Sequence, residues 1–157
     1  MKTRLLLILL TALAPAVAAA APIDRTFRAR LERGPCFGFC PSYTVDLTAD
    51  GRVRFEGRPP GRGAANGCLG VLRWRVSRAA VARLQRTVDR GGFYGFKSEY
   101  AAPVTDLPTY TVTVTRRGRT KAVRDYGGAE AGMPAAMTGI ENAIDEAAGV
   151  TRCVKRP

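Results

Sequence analysis

The 157-residue chain contains no histidine. Histidine titrates closer to neutral pH than other side chains, acts as the general base in Ser–His and Cys–His catalytic pairs, and is the commonest metal ligand. Its absence excludes those catalytic pairs and most metal sites. The chain has four cysteines, but their spacing is poor for a zinc site. We therefore predict neither a metal nor another cofactor.

Negative charge is also scarce. The sequence has 13 acidic residues against 25 basic ones, which gives a formal net charge of +12. Of the basic residues, 21 are arginine, whose planar guanidinium makes paired hydrogen bonds to phosphate and carboxylate groups. This charge balance favours a negatively charged partner.

Long apolar runs are absent except near the N-terminus. There, Lys2 and Arg4 precede the apolar stretch from Leu5 to Leu10, and an alanine-rich stretch ends at Ala21. A charged start, a short apolar middle and a small-residue end are the three parts of a secretory signal peptide. We predict a signal peptide over residues 1–20 and one domain over residues 21–157. The mature chain would be periplasmic or secreted, with no transmembrane anchor after cleavage.

All four cysteines lie in the predicted mature part, at Cys36, Cys40, Cys68 and Cys153. An even number of cysteines in an exported chain indicates disulfide bonds, because the oxidising compartment forms and keeps them. Four cysteines allow three pairings, and their spacing alone does not select one.

The hydrophobic pattern predicts an α+β domain. Apolar residues alternate with polar ones, as in half-buried strands, over residues 27–32, 43–48, 53–55, 72–76, 110–115 and 121–126. Helical spacing occurs twice, from Ser77 to Gly91 and from Pro134 to Gly149. The order is β-β-β-β-α-β-β-α, which predicts two layers: an antiparallel sheet of about six strands with two helices on one face.

Six arginines occupy the strand positions that alternate with the apolar residues, so we expect them on the face of the sheet that is open to water. They are Arg28, Arg30, Arg52, Arg54, Arg73 and Arg75. This candidate anion-binding face suggests a non-enzymatic envelope or secreted domain, whose partner is an anionic envelope component or an acidic protein. Nucleic acid would fit the charge but not the compartment. In a simpler interpretation, arginine is only the default solvated residue of an Arg-, Ala- and Gly-rich chain.

An enzyme is the alternative. Cys36 and Cys40 could form a redox-active dithiol, although oxidoreductases usually have two residues between the cysteines and a helix after the first. A carboxylate hydrolase could use Glu56, Asp106 and Asp125. Each acid also has a structural interpretation, since Glu56 and Asp125 fit solvated strand ends and Asp106 fits a turn or cap.

Residues 34–43 read Gly-Pro-Cys-Phe-Gly-Phe-Cys-Pro-Ser-Tyr. This segment resembles the opening of a bacterial family of exported domains of unknown function, which is marked by Cys-Phe-Gly-x-Cys-Pro-x-Tyr. Weaker similarities follow at residues 50–57, 92–93, 100 and 105–109, so the resemblance spans about residues 26–150. It implies a fold and an exported setting but no activity. It also implies that Cys36 pairs with Cys40, which leaves Cys68 to pair with Cys153.

Overall fold

The computed structural model describes residues 22–38, 40–59 and 67–154. The predicted signal peptide, residues 1–20, lies outside these ranges. The described chain forms seven strands, two α-helices and two short 3-10 turns. The strands are β1 (Arg28–Arg33), β2 (Tyr43–Thr48), β3 (Arg52–Gly57), β4 (Gly70–Arg75), β5 (Glu99–Ala101), β6 (Thr109–Arg116) and β7 (Arg119–Tyr126). The helices are α1 (Arg78–Arg90) and α2 (Ala135–Ala148), and the 3-10 turns are Phe93–Gly95 and Val150–Arg152.

All seven strands join one open sheet in the order β4-β3-β2-β1-β6-β7-β5. Every neighbouring pair is antiparallel except β5 and β7, which are parallel. The predicted α+β class and the two helices are confirmed, but the sheet has seven strands rather than about six and is mostly, not wholly, antiparallel. The additional strand, β5, has only three residues, which is too short to show an alternating pattern.

One face of the sheet forms the hydrophobic core. Ala29 and Leu31 of β1 are fully buried, and so are the residues opposite them on the neighbouring strands. The apolar residues of both helices join the same cluster, for example Leu84 of α1 and Ile140 of α2. In the described part of the chain, no helix is long and apolar enough to cross a membrane.

The helix ends follow from local sequence. Ser77 caps α1, because its hydroxyl oxygen accepts a hydrogen bond from the Ala80 N–H at 3.1 Å. α2 ends where Gly149 adopts a left-handed conformation, with φ of 69°, which glycine reaches without the steric cost of a Cβ atom. Both ends lie where the sequence predicts them.

Two cysteine pairs lie at disulfide distance. Cys36 and Cys40 have Cα atoms 5.6 Å apart in the connection between β1 and β2. The Cα atoms of Cys68 and Cys153 are 4.9 Å apart, so this pair ties the segment before β4 to the segment after α2. Both separations are typical of disulfides, and the pairing is the one that the family resemblance implies.

Candidate functional site

The strand register places the six predicted arginines on the outer face of the sheet, opposite the core. Arg28 and Arg30 lie on β1 and alternate with the buried Ala29 and Leu31. The other four lie on two neighbouring strands, Arg52 and Arg54 on β3 and Arg73 and Arg75 on β4. Strand β2 separates the two groups.

The β1 arginines are tied to a buried carboxylate on β2. One carboxylate oxygen of Asp46 accepts hydrogen bonds from Nε and Nη2 of Arg28, at 3.1 and 2.7 Å. The other oxygen accepts from Arg30 at 3.3 Å. The Asp46 side chain is only 6% exposed, and a buried carboxylate without a partner is costly. Arg28 and Arg30 therefore stabilise the fold and are only partly available to a ligand.

The β3 and β4 arginines face each other across the sheet. Arg52 lies directly opposite Arg75, and Arg54 lies directly opposite Arg73. Like charges in directly opposite positions destabilise a sheet, because their Cβ atoms are only about 5 Å apart. We call these four residues the arginine quartet.

Carboxylates compensate part of the charge of the quartet. Asp50 forms ion pairs with Arg52 at 2.9 Å and with Arg75 at 3.8 Å, while Glu56 pairs with Arg54 at 2.8 Å. No carboxylate of the described residues pairs with Arg73. Four guanidinium groups thus share two carboxylates, and the quartet keeps a positive charge.

A shallow depression of about 460 Å³ lies beside the quartet, and all four of its residues line it. Arg28, Asp46 and Thr48 also contribute to its wall. A second depression of about 430 Å³ adjoins it and shares Arg28 and Thr48. The guanidinium groups of the quartet therefore line an open depression on the outer face.

A second group of charged residues lies on the opposite, inner face, where the sequence analysis did not expect it. One register row across the sheet contains Tyr43, Arg33, Tyr110, Asp125 and Tyr100. Arg33 follows the phase of the buried Ala29 and Leu31, which is the signal in the sequence that could have revealed it. Together with Glu141 and Asp145 of α2, this row forms what we call the buried polar cluster.

Asp145 organises one end of the buried polar cluster. Its Oδ2 accepts from Nε and Nη2 of Arg33 at 3.1 and 2.9 Å, and its Oδ1 accepts from the Tyr43 hydroxyl at 2.7 Å. The Arg33 guanidinium also stacks on the Tyr110 ring, 4.3 Å from its centroid. Burial and the neighbouring Asp145 carboxylate raise the pKa of Tyr43, so its hydroxyl stays protonated and donates to Asp145.

Glu141 and Asp125 form the other end of the buried polar cluster. Glu141 is 2% exposed, its Oε1 has no hydrogen-bond partner in the described structure, and the charge of Asp125 acts on its carboxyl group. Asp125 also accepts from the Gly128 N–H at 2.6 Å. Burial, followed by the charge of Asp125, raises the pKa of Glu141 to about 7. Below about pH 7 Glu141 is therefore mostly protonated, and its hydroxyl can donate to an acceptor such as the Asp125 carboxylate.

A comparison with known protein families identifies the domain that contains both groups of residues. Residues 28–148 match a domain of unknown function, DUF6438. The chain belongs to the DUF6438 family. The match runs from the first residue of β1 to the last residue of α2, so it contains the arginine quartet and the buried polar cluster. No curated protein matches the chain.

The DUF6438 domain does not bring the candidate hydrolase residues together. Glu56 lies on the outer face and pairs with Arg54, whereas Asp125 lies in the buried row of the inner face. Asp106 is exposed in the loop before β6 and has a left-handed φ of 69°. The interpretation of Asp125 as a solvated strand end is therefore wrong, because Asp125 is buried beside Glu141.

The candidate dithiol of the DUF6438 domain lies in a connection between two strands. Cys36 and Cys40 are in the connection from β1 to β2, and none of the described residues of that connection is helical. A helix N-terminus is the usual means of lowering the pKa of a redox-active thiol. The described residues of the connection contain no such helix, and the position of the pair favours a constraint on the loop.

Proposed function

We propose that this DUF6438 domain is a non-enzymatic binding domain of the bacterial envelope or secreted space, which binds an anionic partner through its arginine-rich outer face. The observation that carries the proposal is the pair of directly opposed arginines, Arg52 with Arg75 and Arg54 with Arg73. Of the six candidate residues, this quartet makes the direct contacts. Arg28 and Arg30 of β1 add positive charge to the same face, while their guanidinium groups hydrogen-bond to Asp46.

An anionic ligand would relieve the repulsion that the quartet carries. A phosphate or carboxylate between two guanidinium groups accepts charge-assisted hydrogen bonds from both, which are stronger than those between neutral groups. The repulsion between the free arginines is then exchanged for attraction to the ligand. The depression beside the quartet gives such a group room.

The proposed export of the chain limits which anionic molecules the outer face could meet. The charged, apolar and small-residue parts of residues 1–20 support export, as do the two cysteine pairs and the Cys-Phe-Gly-x-Cys-Pro-x-Tyr segment at residues 36–43. The anionic molecules of the envelope are acidic phospholipid, lipopolysaccharide, acidic glycans and acidic proteins. Nucleic acid is not an expected partner in this compartment.

Replacing the quartet tests the proposal. We expect R52Q/R54Q/R73Q/R75Q to weaken binding to vesicles that contain acidic phospholipid by at least about tenfold, because each basic residue near such a surface contributes about 1 kcal/mol. Co-sedimentation with vesicles and with lipopolysaccharide measures the effect. Binding of the unmodified protein should weaken as salt is added, since exposed charges are screened over about 10 Å at 0.1 M salt.

The matched control, R83Q/R86Q/R90Q/K97Q, replaces three arginines of α1 and the exposed Lys97 between α1 and β5. It removes the same charge from another surface of the molecule. Equal loss of binding in both variants would mean that only net charge matters. The proposal is wrong if the unmodified protein shows no salt-sensitive binding to any of three probes: vesicles, lipopolysaccharide and an acidic protein segment.

A further inference from the structure

Strand β4 forms an open edge of the sheet. Among the residues that the structure describes, it pairs only with β3 and has no strand on its other side. It is six residues long, whereas the opposite edge strand, β5, has three. Short edge strands resist pairing with other chains, and longer ones offer a row of free N–H and C=O groups. The β4 edge is therefore the side of the sheet that can accept another strand.

Exposed apolar side chains gather at this same edge. Within residues 22–38, 40–59 and 67–154, five large apolar side chains are exposed, and three of them lie on β4 or next to it. These are Leu69, Val71 and Leu72, which are 61%, 41% and 39% exposed. Leu72 lies opposite the fully buried Phe55, on the core side of the sheet, so its exposure marks a part of the core that the described chain does not cover.

The charge of the edge restricts what can pair with it. Arg73 and Arg75 project from β4 on the outer face, and both are exposed. A second copy of this chain paired through β4 would bring more arginines against the quartet, and like charges across strands are unfavourable. A strand with carboxylates on the outer face would instead meet Arg73, which has no carboxylate partner among the described residues.

We propose that the partner is an extended acidic segment of another protein, which adds a strand to the free edge of β4. Its backbone would pair with β4. Its carboxylates would face Arg73 and Arg75 on the outer side, and its alternate apolar side chains would cover the exposed Leu72 on the core side, next to Trp74. Main-chain hydrogen bonds supply affinity in this mode of recognition, and alternate side chains supply specificity. This inference rests on the proposed function, because it names the chemistry of the anionic partner.

Two synthetic peptides test the inference directly. Both have about eight residues, long enough to cover β4, and both contain equal numbers of Glu and Val. In one peptide the two residues alternate, and in the other all the glutamates precede the valines. Trp74 is the only tryptophan in the chain and lies on β4, so its fluorescence reports binding there. We expect the alternating peptide to bind at least roughly tenfold more tightly than the block peptide.

Hydrogen exchange identifies the mode of binding. The alternating peptide should protect the β4 amides that point away from β3, while the block peptide should not. The charge-reversal variant R73E/R75E should no longer bind the alternating Glu–Val peptide. It should instead bind a peptide in which Lys and Val alternate in the same way. Gain of the Lys–Val peptide requires a folded protein, so a variant that merely unfolds cannot imitate this result. R83E/R90E on α1 is the matched control and should bind the Glu–Val peptide as the unmodified protein does.

The outcomes separate this inference from the proposed function. If both Glu–Val peptides bind equally and no β4 amide is protected, the outer face binds anions but β4 accepts no strand, and the inference is wrong. Binding of vesicles or lipopolysaccharide without binding of either peptide also overturns the inference alone. Absence of salt-sensitive binding to vesicles, lipopolysaccharide and peptides overturns both.

Discussion

Removing the Cys68–Cys153 pair, in C68S/C153S, should lower the free energy of unfolding by about 4.5 kcal/mol. The two cysteines are 85 positions apart, and the chain-entropy model predicts a stabilisation that grows with the length of the closed loop. The Cys36–Cys40 pair spans only four positions, for which the same model gives about 2 kcal/mol. Chemical denaturation of both double variants under non-reducing conditions measures the difference.

Comparing the two double variants keeps the number of replaced cysteines equal and leaves no free thiol in either protein. The position of the long pair supports the larger effect, because Cys153 is buried and the segment around it packs against β4. The Trp74 Nε1–H donates to the Ala148 carbonyl at 2.7 Å, and the Arg152 guanidinium lies over the indole ring. A loss in C36S/C40S that equals or exceeds the loss in C68S/C153S would contradict this ranking.

Replacing Glu141 by Gln should change how stability depends on pH. The pKa of Glu141 is raised from 4.5 to about 7 in the folded protein, so the folded state holds a proton that the unfolded state releases. The stability linked to that proton is fully present below about pH 4.5 and is lost as pH rises to about 7. The loss amounts to about 3 kcal/mol. The glutamine of E141Q has no proton to lose in this pH range. We therefore expect the free energy of unfolding of E141Q to exceed that of the unmodified protein by about 3 kcal/mol at pH 8.

The groups that face Glu141 account for this dependence. Burial contributes most to the raised pKa of Glu141, Asp125 of β7 and Asp145 of α2 raise it further, and Arg33 of β1 lowers it. A glutamine amide can donate to Asp125 as the protonated acid can, so E141Q keeps a donor at this position. Urea denaturation at pH 5 and pH 8 measures the effect, with E146Q, an exposed acid on the same helix, as the matched control. Parallel profiles for E141Q and the unmodified protein would contradict the account.

The sequence predicts the outer face better than it predicts the interior. Alternation along each strand identifies which residues share a face, so the six arginines could be placed there without a structure. The partners of these arginines could not be predicted from the sequence, because the order of the strands places Asp46 between Arg30 and Arg54 in the sheet. The register that places Arg52 directly opposite Arg75 likewise depends on how β3 and β4 pair in the folded sheet, so the sequence alone does not predict it.

The buried polar cluster depends on contacts between distant parts of the chain. Arg33 and Asp145 are 112 residues apart, and no local pattern joins them. A charged residue in the apolar phase of a strand is the only local sign, and Arg33 is such a residue. Asp125 also occupies the inner phase, but it comes at the end of a strand, where the pattern does not distinguish a solvated side chain from a buried one.

The central claim is that an anionic partner binds the outer face of β3 and β4, and NMR spectroscopy of the labelled protein tests it most directly. Bicelles containing acidic phospholipid provide the anionic surface, and neutral bicelles provide the control. We predict that acidic bicelles shift the Nε–H signals of Arg52, Arg54, Arg73 and Arg75 and the amide signals of β3 and β4, and that added salt reverses these shifts. Shifts of equal size on α1 would contradict the claim, as would the absence of shifts on β3 and β4 with both the acidic bicelles and the alternating Glu–Val peptide.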